Sequence, residues 1–591
     1  MSNRNFDASV ITKRLGNKAI AKSIISNFNN VNSQPQTSNM NASIINEVEM
    51  GNSLFVTRGP TCTTYDLGCP CPISTSVTSV IPQTGWFTRI AGTGNSFGYG
   101  VARDSDNNII VIGVYETADI TIYNIDGSIF GTLPYSGGNR DAFLVKYNSN
   151  GTAIWATRIA GIGNDFGFSV AVDSNIPDNN IIITGYYTAA TTFYNADGSG
   201  TSLTLPGSGG ADVFIVKYNS NGTGIWATRI AGGGSTVSPQ PGLGVSVDSF
   251  DNSIIVTGYY GTTVTIYNAT PLPSGTFTTL PTLATNGSVF HTFIVKYDSD
   301  GIGQWATRIA PVVAGGGFIF GLGVKIIPNS SSAGDIIVTG AFAANATIFN
   351  APGTVATLPT LVLVSGTSNV FIVKYNSSGV GQWSSRIAGT VNDRGYGVAV
   401  DSSNNIIVTG FYTGIATIIN PGGIIFGTLP NSGGGVTNDV FIVKYNSSGF
   451  GIWATRIGGA NNERGQGVTV DSLNNIIVTG YYALNTITIY NAPGGTVSTL
   501  PTLTNSGTND VFIVKYNSSG IGQWATRIAG TADDTGNSIT VDSNNNIIVT
   551  GYYSSSPVTI YNTPGTLVAG TLVNTGLYDV FLVKYMSNGF I

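Results

Sequence analysis

Residues 511–530 read VFIVKYNSSGIGQWATRIAG, two apolar stretches joined by an Asn-Ser-Ser-Gly segment. In the first stretch Phe512, Val514 and Tyr516 alternate with Ile and Lys, and in the second Trp524 alternates with Ala in the same way. A period of two places alternate side chains on opposite faces of a β-strand. Asn, Ser and Gly between two such strands are typical of a tight turn. The stretch therefore predicts two antiparallel strands in succession.

Similar text occurs seven times, and each copy begins a W-x-x-R unit at one of the seven Trp residues of the 591-residue chain. The Trp residues are Trp86, Trp155, Trp226, Trp305, Trp383, Trp453 and Trp524. Each unit continues through a Gly-rich loop, a strand such as GVAVD, a DSNN-type turn, a strand such as IIVTGYY and a variable excursion that often reads TIYNAPGT…TLP. We name GVAVD strand A, IIVTGYY strand B, FIVKY strand C and WATRI strand D. The pattern predicts four strands per unit.

The phase of the repeat indicates a closed ring. The first complete element is WFTRI, a D strand at residues 86–90, and the last is FLVKY, a C strand at residues 581–585. Pairing the two hides both edges and completes seven blades. A linear solenoid would need atypical capping units, and the repeats contain none. We predict an all-β fold, a single seven-bladed β-propeller of four-stranded blades over residues 81–591, after an extended arm over residues 1–80.

The unit resembles the β-propeller repeat family named SBBP, whose units join an Asp-x-Phe…Lys strand to a Trp-containing hairpin and an Ala-Val-Asp strand. The matching text, taken across the copies, is DVFIVKYNSSG, WATRIAG, GVAVDSNNN and IIVTGYY. The resemblance covers about 500 residues and implies a fold rather than an activity. The fourth copy departs most, since GVKIIPNSSSAGD places Pro328 where the others have Asp. An irregular A–B turn is expected there.

Charged residues recur once per unit and allow two interpretations. They could form a ring of ligand-binding charges, or each blade could repeat one ion pair that joins its strands. We favour the second interpretation, because catalytic sites break repeat symmetry and buried charges must be paired. The recurring residues are Arg89, Arg158, Arg229, Arg308, Arg386, Arg456 and Arg527; Lys146, Lys217, Lys296, Lys374, Lys444, Lys515 and Lys584; and Asp104, Asp173, Asp248, Asp401, Asp471 and Asp542.

No catalytic, cofactor-binding or metal-binding residue is predicted in the repeats. The lone histidine, His291, stands in HTFIVKY where other copies carry Asp or Asn, and a variant strand start is favoured over a general base. No G-x-S-x-G motif accompanies it. Paired carboxylates from different blades remain an open alternative for glycoside hydrolysis. A net charge of −5 argues against a broad basic surface for nucleic acid, and no apolar run reaches the roughly 18 residues of a membrane helix.

The arm does not repeat. Residues 7–28 favour a short basic amphipathic helix, and the Asn/Ser-rich residues 29–46 resemble a linker. Cys62, Cys69 and Cys71 are candidates for a disulfide, for three free thiols or for zinc, which would lack a fourth ligand. The arm lacks the continuous apolar core of a secretory signal. Its phrases ITKRLGNKAIA and CPCP are similar to arms of proteins encoded by mimivirus-like giant DNA viruses.

These observations favour a non-enzymatic structural or interaction protein of a virion. Its arm would contact other structural proteins or copies of itself, and its propeller would be displayed. The alternatives are a cell-surface adhesion or carbohydrate-binding propeller and a propeller lyase or hydrolase. The D–A and B–C connections are long and variable, for example at residues 232–242 and 311–320, so we expect their face to bind a host-surface or glycan ligand.

Overall fold

A computed structural model of the protein describes residues 84–173, 178–232, 244–269, 279–285, 287, 289–329, 333–364, 366–492 and 496–591. The predicted arm, with its helix over residues 7–28 and with Cys62, Cys69 and Cys71, lies outside the described residues. Among them, strands are numbered β1 to β40 along the chain, and one 3-10 turn spans Pro421–Gly423. No helix long and apolar enough to cross a membrane occurs in the part of the chain that is described.

All four predicted strands are present in every unit. The A strands are β2 (Ser96–Arg103), β8 (Asp165–Val172), β14 (Gly244–Val247), β19 (Ile319–Ile327), β24 (Arg394–Val400), β30 (Glu463–Val470) and β36 (Asp534–Val541). The B strands are β3 (Ile109–Glu116), β9 (Ile181–Tyr187), β15 (Ile254–Tyr260), β20 (Asp335–Phe342), β25 (Ile406–Thr413), β31 (Ile476–Ala483) and β37 (Ile547–Tyr553).

The remaining two strands of each unit form the predicted C–D hairpin. The C strands are β6 (Arg140–Tyr147), β12 (Asp212–Tyr218), β17 (His291–Tyr297), β22 (Asn369–Tyr375), β28 (Asn438–Tyr445), β34 (Asn509–Tyr516) and β40 (Asp579–Tyr585). The D strands are β1 (Trp86–Gly92), β7 (Ala153–Gly161), β13 (Gly224–Gly232), β18 (Gly303–Pro311), β23 (Gly381–Ala388), β29 (Gly451–Gly458) and β35 (Gly522–Ala529).

The ring closes between the two ends of the repeat region. β1 pairs antiparallel with β40, with Trp86 opposite Lys584 and Ile90 opposite Val580. The seventh blade therefore takes its A, B and C strands from the end of the chain and its D strand from residues 86–92. The prediction of a closed seven-bladed propeller is confirmed.

The prediction of four strands per blade was incomplete, because each sheet has five or six strands. The added strands come from the B–C excursions. They are β4 (Ile120–Tyr123), β5 (Ile129–Leu133), β10 (Thr191–Tyr194), β11 (Gly200–Leu205), β16 (Val264–Ile266), β21 (Ala346–Ile348), β26 (Ala416–Ile419), β27 (Ile425–Leu429), β32 (Thr488–Asn491), β33 (Thr496–Val497), β38 (Val558–Asn562) and β39 (Leu567–Leu572).

Each excursion joins the preceding blade rather than its own. β4 lies between the B and C strands of the first unit, yet it pairs with β1 of the seventh blade, with Ile122 opposite Ile90. The same exchange occurs in every sheet. A D strand thus lies between the C strand of its own blade and a strand from the next unit, which interlocks consecutive units.

The core lies between the blades. Strands B and C read as nearly continuous apolar runs because each blade packs against a neighbour on both faces. Ile548 and Val549 of β37, which point to opposite faces, are both fully buried. The A strands line a central channel, and the D strands with the added strands form the rim.

Truncating Trp86 tests the closure. Trp86 is 4% exposed and packs with Ile90, Ile120 and Ile122. Trp86→Ala should lower the free energy of unfolding by about 3–5 kcal/mol, because a buried aromatic leaves a cavity at the seam. Urea denaturation followed by circular dichroism measures the change. Ile154→Ala, at a side chain 45% exposed, is the control and should stay within about 0.5 kcal/mol. Equal losses from both variants would contradict the assignment of Trp86 to the seam.

Candidate binding site at the mouth of the central channel

The recurring Lys and Asp residues form buried ion pairs within blades. In five units the Lys Nζ to Asp Oδ2 distance is 2.9 to 3.4 Å, in the pairs Lys146–Asp104, Lys217–Asp173, Lys444–Asp401, Lys515–Asp471 and Lys584–Asp542. Lys296 and Lys374 instead meet Asp251 at 3.7 Å and Asp335 at 2.8 Å. Lys374 has no recurring Asp to meet, because its unit carries Pro328 at that position. The predicted repeated ion pair is therefore present, with two local variants.

Six of the seven Lys residues, all but Lys296, also donate a hydrogen bond to the next unit within the described part of the chain. Lys444 stands opposite Trp453 on neighbouring strands, and both donate a hydrogen bond of 3.1 Å to the backbone carbonyl of Ser518 in the following unit. All seven Trp indoles make this contact with the C–D turn of the next unit, at 3.0 to 3.2 Å. We call the Trp, the Lys, its Asp and the following Ser carbonyl the inter-blade latch.

A glycine completes the latch. Gly449 has φ of +83°, and a Cβ atom there would lie 2.6 Å from the ring of Trp383. The turn thus needs glycine both for its left-handed backbone and for the close approach of the indole. The recurrent NSSG text is explained by the partner in the preceding blade as well as by the turn itself.

The recurring Arg residues fasten the exchanged strands. The Arg158 guanidinium lies 4.4 Å above the ring of Tyr194, which belongs to the next unit, and donates to the carbonyl of Pro134 in its own unit. Arg89, Arg229, Arg308, Arg456 and Arg527 stack on the equivalent aromatic residue at 3.9 to 4.5 Å. These arginines act as struts of the rim rather than as a ligand-binding ring.

His291 is fully buried at the start of β17, edge-on to Tyr260 at 5.3 Å. Burial lowers the pKa of His291 to about 4, and the charge of Arg308 adds to the lowering. Its ring nitrogens meet no hydrogen-bond partner among the described residues. The geometry matches the favoured interpretation of a variant strand start.

Carboxyl groups that the recurring set does not include are paired inside the ring. They lie where a C strand begins and where the next A strand begins, as with Asp439 and Glu463, and with Asp510 and Asp534, all fully buried. Burial raises the pKa of Glu463 to about 9, with a further rise from the Asp439 carboxylate. Burial raises the pKa of Asp534 to about 8, opposed by the Ser555 hydroxyl that donates to it at 2.8 Å. These pairs have no surface from which to reach a glycosidic bond.

The central channel, in contrast, varies from blade to blade. Six A strands shift register against the B strand at one glycine-containing position, which leaves one bulged residue. The bulged residues are Tyr99, Phe168, Leu322, Tyr396, Gln466 and Asn537, and they line a cavity of about 240 Å³. The equivalent residue of the third blade lies outside the described residues.

On the D–A/B–C side, the residues two positions earlier form the channel mouth, which we define as Phe97, Phe166, Phe320, Arg394, Arg464 and Thr535. Phe97 meets Tyr552 of the preceding blade edge-on at 5.0 Å, and Phe320 meets Tyr259 at 4.5 Å. Arg464 covers Phe411 of the preceding blade at 4.7 Å. Among the described blades, aromatic and guanidinium groups of the mouth therefore make contacts across blade boundaries.

Further aromatic rings extend this set of contacts. Tyr578 lies 5.2 Å from Phe97, and Phe318 stacks on Phe320 at 4.3 Å. Phe97, Tyr481, Tyr552 and Tyr578 are half-buried, so part of each ring faces solvent. Aromatic faces that stay exposed together mark a binding surface more often than a structural need.

Arg394 and Arg464 are the uncompensated charges of the mouth. The Arg394 guanidinium lies 5.7 Å from the ring of Phe320, and neither arginine is within ion-pair distance of a carboxylate in the described ranges. Their Nε atoms meet no hydrogen-bond partner among those residues either. Arg140, also at this face, is neutralised by Glu116.

The site agrees in part with the sequence predictions. Of the two variable connections, residues 311–320 contribute Phe318 and Phe320 to the mouth, whereas residues 233–243 lie outside the described part. Arg394 and Arg464 were not among the residues predicted from the sequence. The available signal was the residue before the first Gly of the A strand, which is Phe in three copies and Arg in two.

No cluster of three or more His, Cys, Asp or Glu side chains that could hold a metal ion is found within the described ranges. The three Cys residues that the sequence marked for a disulfide or zinc lie outside those ranges.

Two comparisons with known proteins agree with the propeller fold and with a viral relative. Residues 523–552 match the family described as "Beta-propeller repeat", SBBP. The resemblance to this repeat family is confirmed. The chain is also 29% identical over 554 residues to "Uncharacterized WD repeat-containing protein L264" of Acanthamoeba polyphaga mimivirus. The match covers 85% of this chain and 38% of that relative, so the chain spans well under half the relative's length. The similarity to a mimivirus protein agrees with the resemblance of the arm to arms of giant-virus proteins.

A double variant tests the latch. Although burial raises the pKa of Asp401, hydrogen bonds from Asn405 and Lys444 outweigh it and lower that pKa below its usual value. Lys444→Met should cost about 3–5 kcal/mol of unfolding free energy, because it leaves a buried carboxylate without its cation. Lys444→Met with Asp401→Asn should cost clearly less in the same urea titration. A double variant as unstable as the sum of the single variants would contradict a pairwise ion pair.

The buried acids predict how stability depends on pH. Their pKa values are raised above those of the unfolded chain, so the folded state binds protons more tightly. This stabilising contribution is complete below pH of about 4 and is lost as pH rises through the folded values of about 7 to 9. Glu463→Gln should flatten the decline of the melting temperature between pH 6 and pH 9, whereas Asp300→Asn, at an exposed turn, should leave it unchanged. An identical decline in both variants would contradict the assignment.

Proposed function

We propose that the protein is a non-enzymatic structural component of a virus particle, in which the propeller is a displayed binding platform and residues 1–80 attach it. The observation that carries this proposal is the use of the recurring polar residues. Trp453 and Lys444 bind the next blade, and Asp401 holds Lys444 within its own blade, an arrangement that most other blades repeat. The surface left for partners is the non-recurring channel mouth.

The source of the relative supports the viral part of the proposal. The mimivirus protein shares 29% identity with most of this chain, and the arm carries phrases similar to arms of giant-virus proteins. A ring whose units are interlocked by strand exchange keeps its shape at an exposed position, since no blade can leave without breaking two sheets. Attachment then falls to the part of the chain that does not repeat.

The buried position of the paired carboxyls supports a function without catalysis. Burial raises the pKa of Asp510 to about 7 and that of Asp534 to about 8, in the range that acid–base catalysis uses. Both side chains, however, are fully buried. A catalytic group must be within hydrogen-bond distance of its substrate, directly or through one water. Half-buried groups at the channel mouth include the arginines Arg394 and Arg464 and the aromatic rings of Phe97 and Tyr552, which are suited to binding.

A carbohydrate-binding propeller is the second candidate, and the channel mouth favours it. Half-buried aromatic rings such as Tyr552 and Tyr578, with ring centroids 5.5 Å apart, offer apolar faces beside polar hydroxyls. A sugar ring has the complementary character, with C–H groups on one face and hydroxyls around its edge. This candidate does not compete with a displayed position on a particle.

Particle incorporation tests the first proposal. Particles purified from infected cells should contain the protein at constant stoichiometry by quantitative mass spectrometry. A chain lacking residues 1–80 should be lost from particles while it still accumulates in the cell lysate. As a control, a full chain carrying Arg394→Gln and Arg464→Gln should be incorporated normally. Normal incorporation of the truncated chain, or absence of the intact protein from particles, would contradict the proposal.

A further inference from the structure

We propose that the channel mouth binds an acidic carbohydrate, with Arg394 and Arg464 holding its carboxylate or sulfate groups and the neighbouring aromatic rings receiving its sugar rings. The inference rests on the proposed function only in treating the propeller as a binding platform. It stands on four features of the mouth, namely free guanidinium groups, exposed aromatic faces, amide side chains in the channel and the distribution of acids.

The two guanidinium groups are ready to receive an anion. Each guanidinium lies over a ring, Arg464 over Phe411 at 4.7 Å and Arg394 over Phe320 at 5.7 Å. The Nε atom of each side chain is buried, whereas the residue as a whole is half-buried, so the terminal Nη groups are the part that a ligand can reach. These groups have a fork geometry which matches carboxylate and sulfate oxygens in pairs. Within the described part of the chain, no carboxylate is paired with them.

Six recurring arginines stack on a ring, and five of them also have an acceptor, Arg308 being the exception among the described residues. Arg158 stacks on Tyr194 and also donates to the carbonyl of Pro134. Arg456 stacks on Tyr490 and pairs with Asp439 at 3.0 Å. Arg394 and Arg464 keep the stacking and lack the acceptor. A buried or half-buried guanidinium with no acceptor is a cost that a ligand would remove.

Amide side chains in the channel supply partners for hydroxyl groups. Gln466 follows Arg464 by two residues on the same strand, and Asn537 occupies the equivalent position in the next blade. Asn537 uses its Nδ2 to donate to the carbonyl of Gly98 at 2.8 Å, which orients its amide. Amide oxygens and N–H groups bond sugar hydroxyls as acceptor and donor. Blades five to seven therefore form a polar side of the mouth.

Charge distribution favours a locally acidic sugar over a long polyanion. The chain carries a net charge of −5, so a nucleic acid would be repelled away from the mouth. Asp533 lies beside Tyr552 and Tyr578, and burial raises the pKa of both hydroxyls, with a smaller rise from the Asp533 charge. One carboxylate at the edge of a site with two free cations leaves room for a few negative groups.

Isothermal titration of the full-length protein tests the inference with four probes, a sulfated heparin octasaccharide, an oligogalacturonate, a neutral maltooligosaccharide and single-stranded oligo-dT. At least one of the two acidic sugars should bind, and the comparison between them identifies the anionic group. Arg394→Gln with Arg464→Gln should weaken that binding at least tenfold. Arg103→Gln, at the opposite end of an A strand, is the matched control and should change it less than twofold.

Two further variants separate charge from geometry. Arg464→Lys keeps the cation but loses the fork, so binding should fall several-fold. Asp533→Asn removes the facing carboxylate, so an acidic sugar should bind two- to threefold more tightly. No binding of either acidic sugar, equal binding of the neutral sugar, preference for oligo-dT, or unchanged binding in the double Arg variant would overturn the inference.

The outcome is distinguishable from a failure of the proposed function. If the intact protein is missing from particles while the mouth binds an acidic sugar, the virion assignment fails and this inference holds. If the protein is incorporated and the mouth binds neither sugar, the inference fails and the virion assignment holds. Circular dichroism melting of each variant checks that the ring is intact before titration.

Discussion

The D strand depends on a neighbour that its own unit does not supply. One edge of β1 pairs with β40 and the other with β4, and the same arrangement repeats around the ring. An isolated unit would leave this second edge open, and open edges recruit other chains. Closure and strand exchange solve the same problem twice, once at the ends of the repeat region and once at every blade boundary. The recurring side chains of the ring act at these blade boundaries.

The recurring residues lie at the boundary between consecutive blades, where the D strand of one blade meets the next unit. A Trp indole and a Lys ammonium of one blade converge on a single carbonyl of the next, and a glycine makes room for the indole. A second set of contacts joins the A–B turns of some neighbouring blades, where the Ser402 N–H donates to Asn474 Oδ1 at 2.9 Å and Asn474 adopts φ of +62°. Ser543 and Asn107 repeat that contact across the closure, at 2.9 Å. Repetition in the sequence thus records repetition of the interface and not of a ligand site.

Local pattern was enough to predict the four strands of each blade and the closure. Alternation in FIVKY and WATRI and the phase of the first and last elements carry that information in a few residues. The sequence did not indicate which sheet the TIY strand of the B–C excursion joins. β4 is only four residues long, and its partner β1 belongs to another blade. The channel mouth could not be predicted from the sequence for a related reason. Arg394 and Arg464 lie 70 residues apart in the sequence, and only the ring brings their strands side by side.

The blade boundaries also explain why the mouth can vary. The Trp, Lys and Ser of each latch lie on the C and D strands and their turn, and its Asp follows the end of the A strand. The mouth residues lie at the opposite end of the A strands, just before the bulge. Replacing Phe by Arg at that position changes the channel surface and leaves the Trp, Lys and Ser of the latch in place. The substituted arginine still stacks on a ring of the preceding blade, as Arg464 does on Phe411, so packing is retained while charge is gained. The inter-blade latches are therefore nearly the same in every blade, while the residues of the channel mouth differ from blade to blade. A ring of seven similar units can thus present a surface that does not repeat.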